Sequence, residues 1–188
     1  DNVYHTKEDM IECVNAFYEG MVQRSEEMKH HPDYKTGENY AYLGLPPCFL
    51  IFDEYVAFLE MLGTKESMSL LSQLKKIVML GRQAGYFLIV ACQRPDAKYF
   101  SDGIRDNFNF RVGLGRISEL GYRMLFGSDV KKQFFQKRIK GRGYCDVGTS
   151  VISEFYTPLV PKGHDFLQTI GSLALARQAV PEKQKEIE

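Results

Sequence analysis

The sequence has no tryptophan, no run of 18 consecutive apolar residues and, anywhere in its 188 residues, no Gly-Lys dipeptide. The missing apolar run predicts that the chain does not cross a membrane, and Asp1-Asn2-Val3-Tyr4 offers neither the basic nor the apolar region of an export signal. The missing dipeptide excludes a GxxxxGK[ST] phosphate-binding loop within these residues. Cysteine is sparse: Cys13, Cys48, Cys92 and Cys145 each lie more than 30 residues from the next, so no CxxC pair marks a zinc site or redox motif. Reduced thiols in a cytoplasmic protein are the plain reading. His5, His30, His31 and His164 have no HExxH or other ligand spacing and read as surface histidines.

What is present is the make-up of a globular chain. Hydrophobic residues are 44% and aromatics 13% of the sequence, enough for a sizeable core in about one domain. Net charge is zero, but the charges are segregated. Residues 1–62 hold 4 Lys/Arg against 12 Asp/Glu, residues 63–150 hold 16 against 7, and residues 151–188 hold 4 against 5. An acidic start and a basic middle favour either an anionic partner or head-to-tail contact between copies.

Along the chain, Thr6 to Asp9 resembles a capping box, and the apolar residues from Ile11 to Met28 recur at helical spacing until Pro32. Residues 32–47 read as a loop. Cys48-Phe49-Leu50-Ile51-Phe52 reads as a strand buried on both faces. Met68, Leu71, Leu74, Ile77, Val78 and Leu80 predict a helix over 67–84, closed by Gly85, with a second buried strand over 86–92. A strand over 108–114 follows, then a helix capped by Ser118 and ended at Gly127. Residues 128–142 read as partly helical, 143–148 as a turn between short strands, and 151–156 as a final strand. A helix over 164–178 precedes a charged tail, 179–188, that reads as disordered. Apolar strands alternating with helices predict an α/β fold with a parallel sheet covered on both faces, whose chemistry sits beyond the C-terminal strand ends.

Two such ends carry chemistry. Phe49-Leu50-Ile51-Phe52 runs into Asp53-Glu54, where one carboxylate can hold the water shell of Mg²⁺ and the next can polarise an attacking water. Asp53 takes the metal role and Glu54 the water. Alone this pattern is weak, because strands often end in acids as the chain returns to solvent. Leu88-Ile89-Val90-Ala91-Cys92 then runs into Gln93, whose amide can touch a γ-phosphate and the lytic water together and so sense phosphate. The plain alternative is a loop-starting polar residue before Pro95. The two strand tips, one helix apart, strengthen each other.

With these two tips in place, the sequence resembles the FtsK/SpoIIIE family of ring-forming, DNA-translocating ATPases. The matching segments are FLIFDEY (49–55), LGRQAG (80–85), LIVACQRP (88–95), GIRDNFNFRVGL (103–114) and GRGYCDVG (141–148), which cover most of residues 48–156. Tyr55 and the segment Gly115–Gly127 look more like the coupling ATPases of integrative and conjugative elements. The resemblance implies a RecA-like P-loop NTPase core with a mainly parallel sheet flanked by helices. It also implies ATP and Mg²⁺ as cofactors, DNA as the track, and a ring of copies, a hexamer in the intact protein. Family members place an arginine in trans at the neighbour's γ-phosphate, and LGRQAG puts Arg82 at that position, where a fork of donors suits phosphoryl charge. The alternative is a cation that merely suits the helix C-terminus. Arg94, Arg111 and Arg123 are further candidates.

The family's phosphate-binding loop is the one departure. The resemblance therefore implies that residues 1–178 are the C-terminal part of the ATPase domain, cut on its Walker A side, inactive alone, with membrane anchoring only through segments outside this chain. From Lys131 to Arg142 the chain holds six cations and no acid, so Lys131, Lys132, Lys137 and Arg138 are candidate contacts to DNA phosphates. A solvated face or the rim of a subunit contact accounts for the run equally well. The reading is a fragment of an ATP-driven DNA translocase serving a mobile element. Its rival is a non-catalytic RecA-like module for ring assembly or partner binding.

Overall fold

Thr6 opens the first helix, α1 (Lys7–Lys29), as the sequence predicts: its hydroxyl accepts the Asp9 amide N–H at 3.2 Å, pairing a donor that a helix start leaves free. The structure, a computed structural model, describes residues 3–95, 98, 100, 102–135, 139–149 and 151–178. It divides into two compact units, 1–156 and 157–188.

In the first unit α1 is followed by β1 (Cys48–Phe52), α2 (Tyr55–Glu60), α3 (Thr64–Ala84) and β2 (Tyr86–Val90). β1 and β2 are parallel, in register from Cys48 opposite Tyr86 to Phe52 opposite Val90, and α2 and α3 supply the crossover that parallel pairing needs. α2 is six residues long, too short for an apolar period to show in the sequence. α3 starts three residues before its predicted start because the Glu66 carboxylate accepts the Gly63 N–H at 2.8 Å and secures the extra turn. Its buried line is Leu70, Leu74, Ile77, Gly81 and Ala84, while Met68 and Leu80 of the predicted line face solvent. The helix is apolar on more than one side, and packing against α1 and β2 selects the face. Burying Val14, Leu74 and Ile77 completely contributes about 1.5–3 kcal/mol each.

The expectation of strands buried on both faces is corrected. Leu50 and Phe52 point into the core with the helices, but Phe49, Ile51 and Ile89 are 56%, 67% and 47% exposed. Side chains alternate across a strand, and among the described residues the helices cover one face of the pair.

The mainly parallel sheet is corrected too. β3 (Arg111–Leu114), β4 (Arg142–Asp146) and β5 (Ile152–Tyr156) form a three-stranded antiparallel sheet in the order β3-β4-β5, so among the described residues parallel pairing is confined to β1 and β2. The segment predicted as a turn is mostly β4. Its glycine marks a close strand crossing: a Cβ on Gly143 would lie 1.8 Å from the Gly113 carbonyl oxygen. α4 (Asp102–Arg105) precedes β3, and between β3 and β4 lies α5 (Glu119–Phe126), with Ser118 capping it through the Gly121 N–H at 3.1 Å, as predicted. Of the segment 128–142 that reads as partly helical, residues 136–138 lie outside the described residues, and 128–135 and 139–142 contain no helix. Residues 128–135 are drawn into a second core instead, where Phe134 stacks on Tyr122 at 4.2 Å beside Phe126 and Tyr144.

The second unit carries α6 (Phe166–Gln178), whose start is held by the Asp165 carboxylate accepting the Gln168 N–H at 3.0 Å. The tail 179–188 lies outside the described residues. None of the described helices is long and apolar enough to cross a membrane.

Candidate active site

The parallel pair does not end at Phe52 and Val90. Beyond it the Ala91 N–H donates to the Phe52 carbonyl at 2.8 Å, and the Tyr55 N–H donates back to the Ala91 carbonyl at 3.1 Å. Asp53 and Glu54 thus form a two-residue excursion pinned at both ends to the extension of β2. Tyr55 is buried against Phe52 and Phe100, with ring centroids 5.7 and 5.0 Å away, and burial drives its hydroxyl well above the usual tyrosine range. The excursion forces Glu54 into the left-handed region at φ 56°, the only such non-glycine residue among those described. A glutamate there costs of order 1–2 kcal/mol, and strain of this kind concentrates where geometry serves function.

Gln93 meets Glu54: its Nε2 donates to Glu54 Oε1 at 3.3 Å, joining side chains that are 39 residues apart. Asp53 is exposed and has no hydrogen bond or ion pair among the described residues, so its oxygens are open to a hydrated cation. No three His, Cys, Asp or Glu side chains among the described residues converge on a metal site. Mg²⁺ commonly takes one or two carboxylates together with substrate phosphates, and Asp53 fits that mode. Sequence alone does not single out Cys92, which lies beside this pair. Burial first, and then the Glu54 carboxylate, push its thiol above the usual range.

Arg82 is not brought to this site. It lies in the last turn of α3, and the Cys48 N–H donates to the Gly85 carbonyl at 2.7 Å, which places that helix end at the N-terminal ends of both strands. Five residues of β2, about 17 Å at 3.3–3.4 Å per residue, separate the two ends of the pair. Arg82 is exposed and makes no hydrogen bond or ion pair among the described residues. The helix-end carbonyl of Ala84 is served by Arg24 Nη1 at 3.4 Å, and the Gln83 amide is taken by the Glu38 carbonyl.

The other arginine candidates differ. Arg111 is committed to a buried ion pair with Asp146 at 2.6 Å, which removes it as a mobile finger. Arg123 pairs with Glu119 one helical turn away at the surface. Arg94 is exposed beside Gln93.

In the basic run, Lys131 is exposed, whereas Lys132 donates to the Ile152 carbonyl at 2.5 Å and lies over the Tyr144 ring. Lys137 and Arg138 lie outside the described residues.

A cleft of about 630 Å³ opens beside Gln93, lined by Val90 to Gln93 at the end of β2 and by Arg111 to Leu114 of β3. Among the described residues neither strand has a second ladder partner.

No protein-family model matches the sequence. The chain is 56% identical over 168 residues to the FtsK domain-containing protein YdcQ of Bacillus subtilis (strain 168), a match covering 89% of this chain and 35% of that protein. The chain thus spans about a third of the length of that curated relative. Its fold resembles the pCW3 conjugation coupling protein TcpA, in a monomer form with ATPγS (TM-score 0.69, 17% identity, 90% of this chain and 49% of that one). It also resembles the cytoplasmic domain of the type VII secretion ATPase EccC of Thermomonospora curvata (TM-score 0.61, 21% identity, 87% of this chain and 19% of that one). A third likeness is EssC, ATPases 2 and 3, of Geobacillus thermodenitrificans (TM-score 0.61, 17% identity, 93% and 32%). At these identities the structural likenesses speak for the fold, and the sequence match, 56% identical over 89% of this chain, is what assigns these residues to an FtsK-type domain.

Proposed function

We propose that these residues form the water-activating half of an ATP-driven DNA translocase, with DNA transfer by a mobile element as its task. The observation that carries the ATPase reading is the convergence of Glu54 and Gln93 at 3.3 Å on the tips of two parallel strands, beside the open carboxylate of Asp53. Asp53 would hold Mg²⁺ through its water shell. Bound Mg²⁺ would neutralise phosphate charge and leave the γ-phosphorus open to attack. Glu54 takes the proton of the attacking water as its oxygen bonds to phosphorus and the bond to the bridging oxygen breaks. Gln93 stands where an amide meets the γ-phosphate and that water.

Arg82 serves a neighbouring copy's site. Within one copy it is at the wrong end of the strands, and a head-to-tail ring brings that end to the next copy's Asp53 and Glu54. The phosphate loop comes from polypeptide outside these 188 residues. We assign one of its strands to the cleft between β2 and β3, where the strand would end beside Gln93. DNA as substrate is supported by the basic middle of the sequence and by the likeness to a conjugation coupling protein.

The test is Glu54→Gln in the full-length protein. ATP binding should persist while hydrolysis stops, because the metal carboxylate remains and the water-polarising group is gone. Loss of binding would give Glu54 another role. The 188-residue chain alone should show no ATPase activity with Mg²⁺.

A further inference from the structure

We propose that Gln93 acts through Glu54 as well as toward phosphate: its carboxamide is the positioning group that aims the water-polarising carboxylate. The inference rests on the ATPase reading above. Its basis is the geometry around Glu54. The backbone of this residue is fixed, because Phe52 and Tyr55 on either side are both tied to Ala91 and φ is held at 56°. The carboxylate therefore starts from a set root, and what remains free is rotation of its side chain.

Only one hydrogen bond among the described residues restrains that rotation, the one from Gln93 Nε2. Glu54 stands at the N-cap of α2 yet makes no side-chain bond to that helix, so the helix does not hold the carboxylate. The neighbouring Cys92 offers a weak donor at best. A glutamine amide has two N–H donors and an acceptor oxygen. With one N–H on Glu54, the second N–H remains for a phosphate oxygen and the carbonyl for the hydrogen of a water. One side chain then links the presence of phosphate to the direction of the carboxylate.

The test is a double-substitution cycle in the full-length protein with two readouts. In turnover, Gln93→Ala should lower kcat roughly 10²-fold, the scale of a misplaced reacting group, with KM changed less than about threefold. Placed in a Glu54→Asp protein, the same substitution should cost less than about threefold, because the two side chains act as one unit. Multiplying effects would overturn the proposal.

The second readout needs no nucleotide. Burial first, and then the Glu54 carboxylate, push the Cys92 thiol above its usual range, which lowers its share of reactive thiolate. If Gln93 keeps the carboxylate there, Gln93→Ala should speed iodoacetamide labelling of Cys92, and adding Glu54→Gln should speed it no further. An unchanged rate in Gln93→Ala, or factors that multiply in the pair, would overturn the proposal. If the wild-type protein binds no ATPγS, the ATPase reading falls, and the labelling cycle still decides whether Gln93 and Glu54 are coupled.

Discussion

Arg111 and Asp146 stand directly opposite each other on β3 and β4, and their side chains close an ion pair at 2.6 Å with the carboxylate almost wholly buried. The second carboxylate oxygen accepts the Gly148 N–H at 2.9 Å, and Arg111 Nη1 reaches the Leu125 carbonyl at 3.3 Å. One pair thus ties the antiparallel sheet to α5 and to the loop after β4. Removing one partner of a buried pair leaves the other charged and unpaired. Asp146→Ala should therefore cost about 3–5 kcal/mol in denaturant unfolding. Glu119→Ala, which breaks the exposed pair with Arg123, should leave the midpoint almost unchanged. Equal effects would mean that the buried pair is not what ties these elements together.

The left-handed backbone at Glu54 gives a second expectation. Glycine adopts φ 56° without the Cβ penalty, although it loses more entropy on folding. Glu54→Gly should raise stability by roughly 0.5–1 kcal/mol, about 2 °C in Tm for a chain of this size, while Glu54→Ala should not. Calorimetry of the two variants separates backbone relief from loss of the carboxylate. A Glu54→Gly protein no more stable than Glu54→Ala would remove strain from the account of this residue.

Arg82 carries a third. In the full-length protein Arg82→Ala should lower hydrolysis roughly 10³-fold or more, as loss of an arginine that meets phosphate does. ATP affinity of an isolated subunit should barely change. Mixing Arg82→Ala with Glu54→Gln should restore part of the ATPase activity, since some interfaces then join an intact Glu54 to an intact Arg82. Near-normal turnover of Arg82→Ala alone would reduce this side chain to a surface cation.

Cys92 gives a fourth, with its sign set by charge. The thiolate is the form that reacts, and burial together with the Glu54 carboxylate raises the thiol, leaving less thiolate near pH 8. Glu54→Gln removes the negative neighbour, so Cys92 should label faster with iodoacetamide at that pH, as followed by peptide mass spectrometry. Burial persists, so labelling should stay slower than that of a free thiol. An unchanged rate would place the carboxylate away from the sulfur.

What the sequence determined by itself was local. Thr6 and Ser118 announce helix starts because a cap needs one side chain and the next few amides, and the apolar runs ending in Asp53-Glu54 and Gln93 announce strand tips because burial and solvent return are written along the run. Wherever pairing across the chain decides structure, local pattern was not enough. Gly143 to Asp146, part of the segment 143–148 that reads as a turn, belongs to β4 because β3 and β5 hydrogen-bond it from both sides. Phe49 and Ile51 are as apolar as Leu50 and Phe52, and only the placement of the helices exposes one pair and buries the other. Arg82, Arg111 and Arg123 are the same residue type in a basic stretch. Tertiary structure buries one against Asp146, pairs one along a helix and leaves Arg82 exposed, without a hydrogen bond or ion pair among the described residues, at the far end of the strands. The parallel register likewise brings residues 39 apart to 3.3 Å, and a hydrogen bond of that kind exists only once both strands are in place.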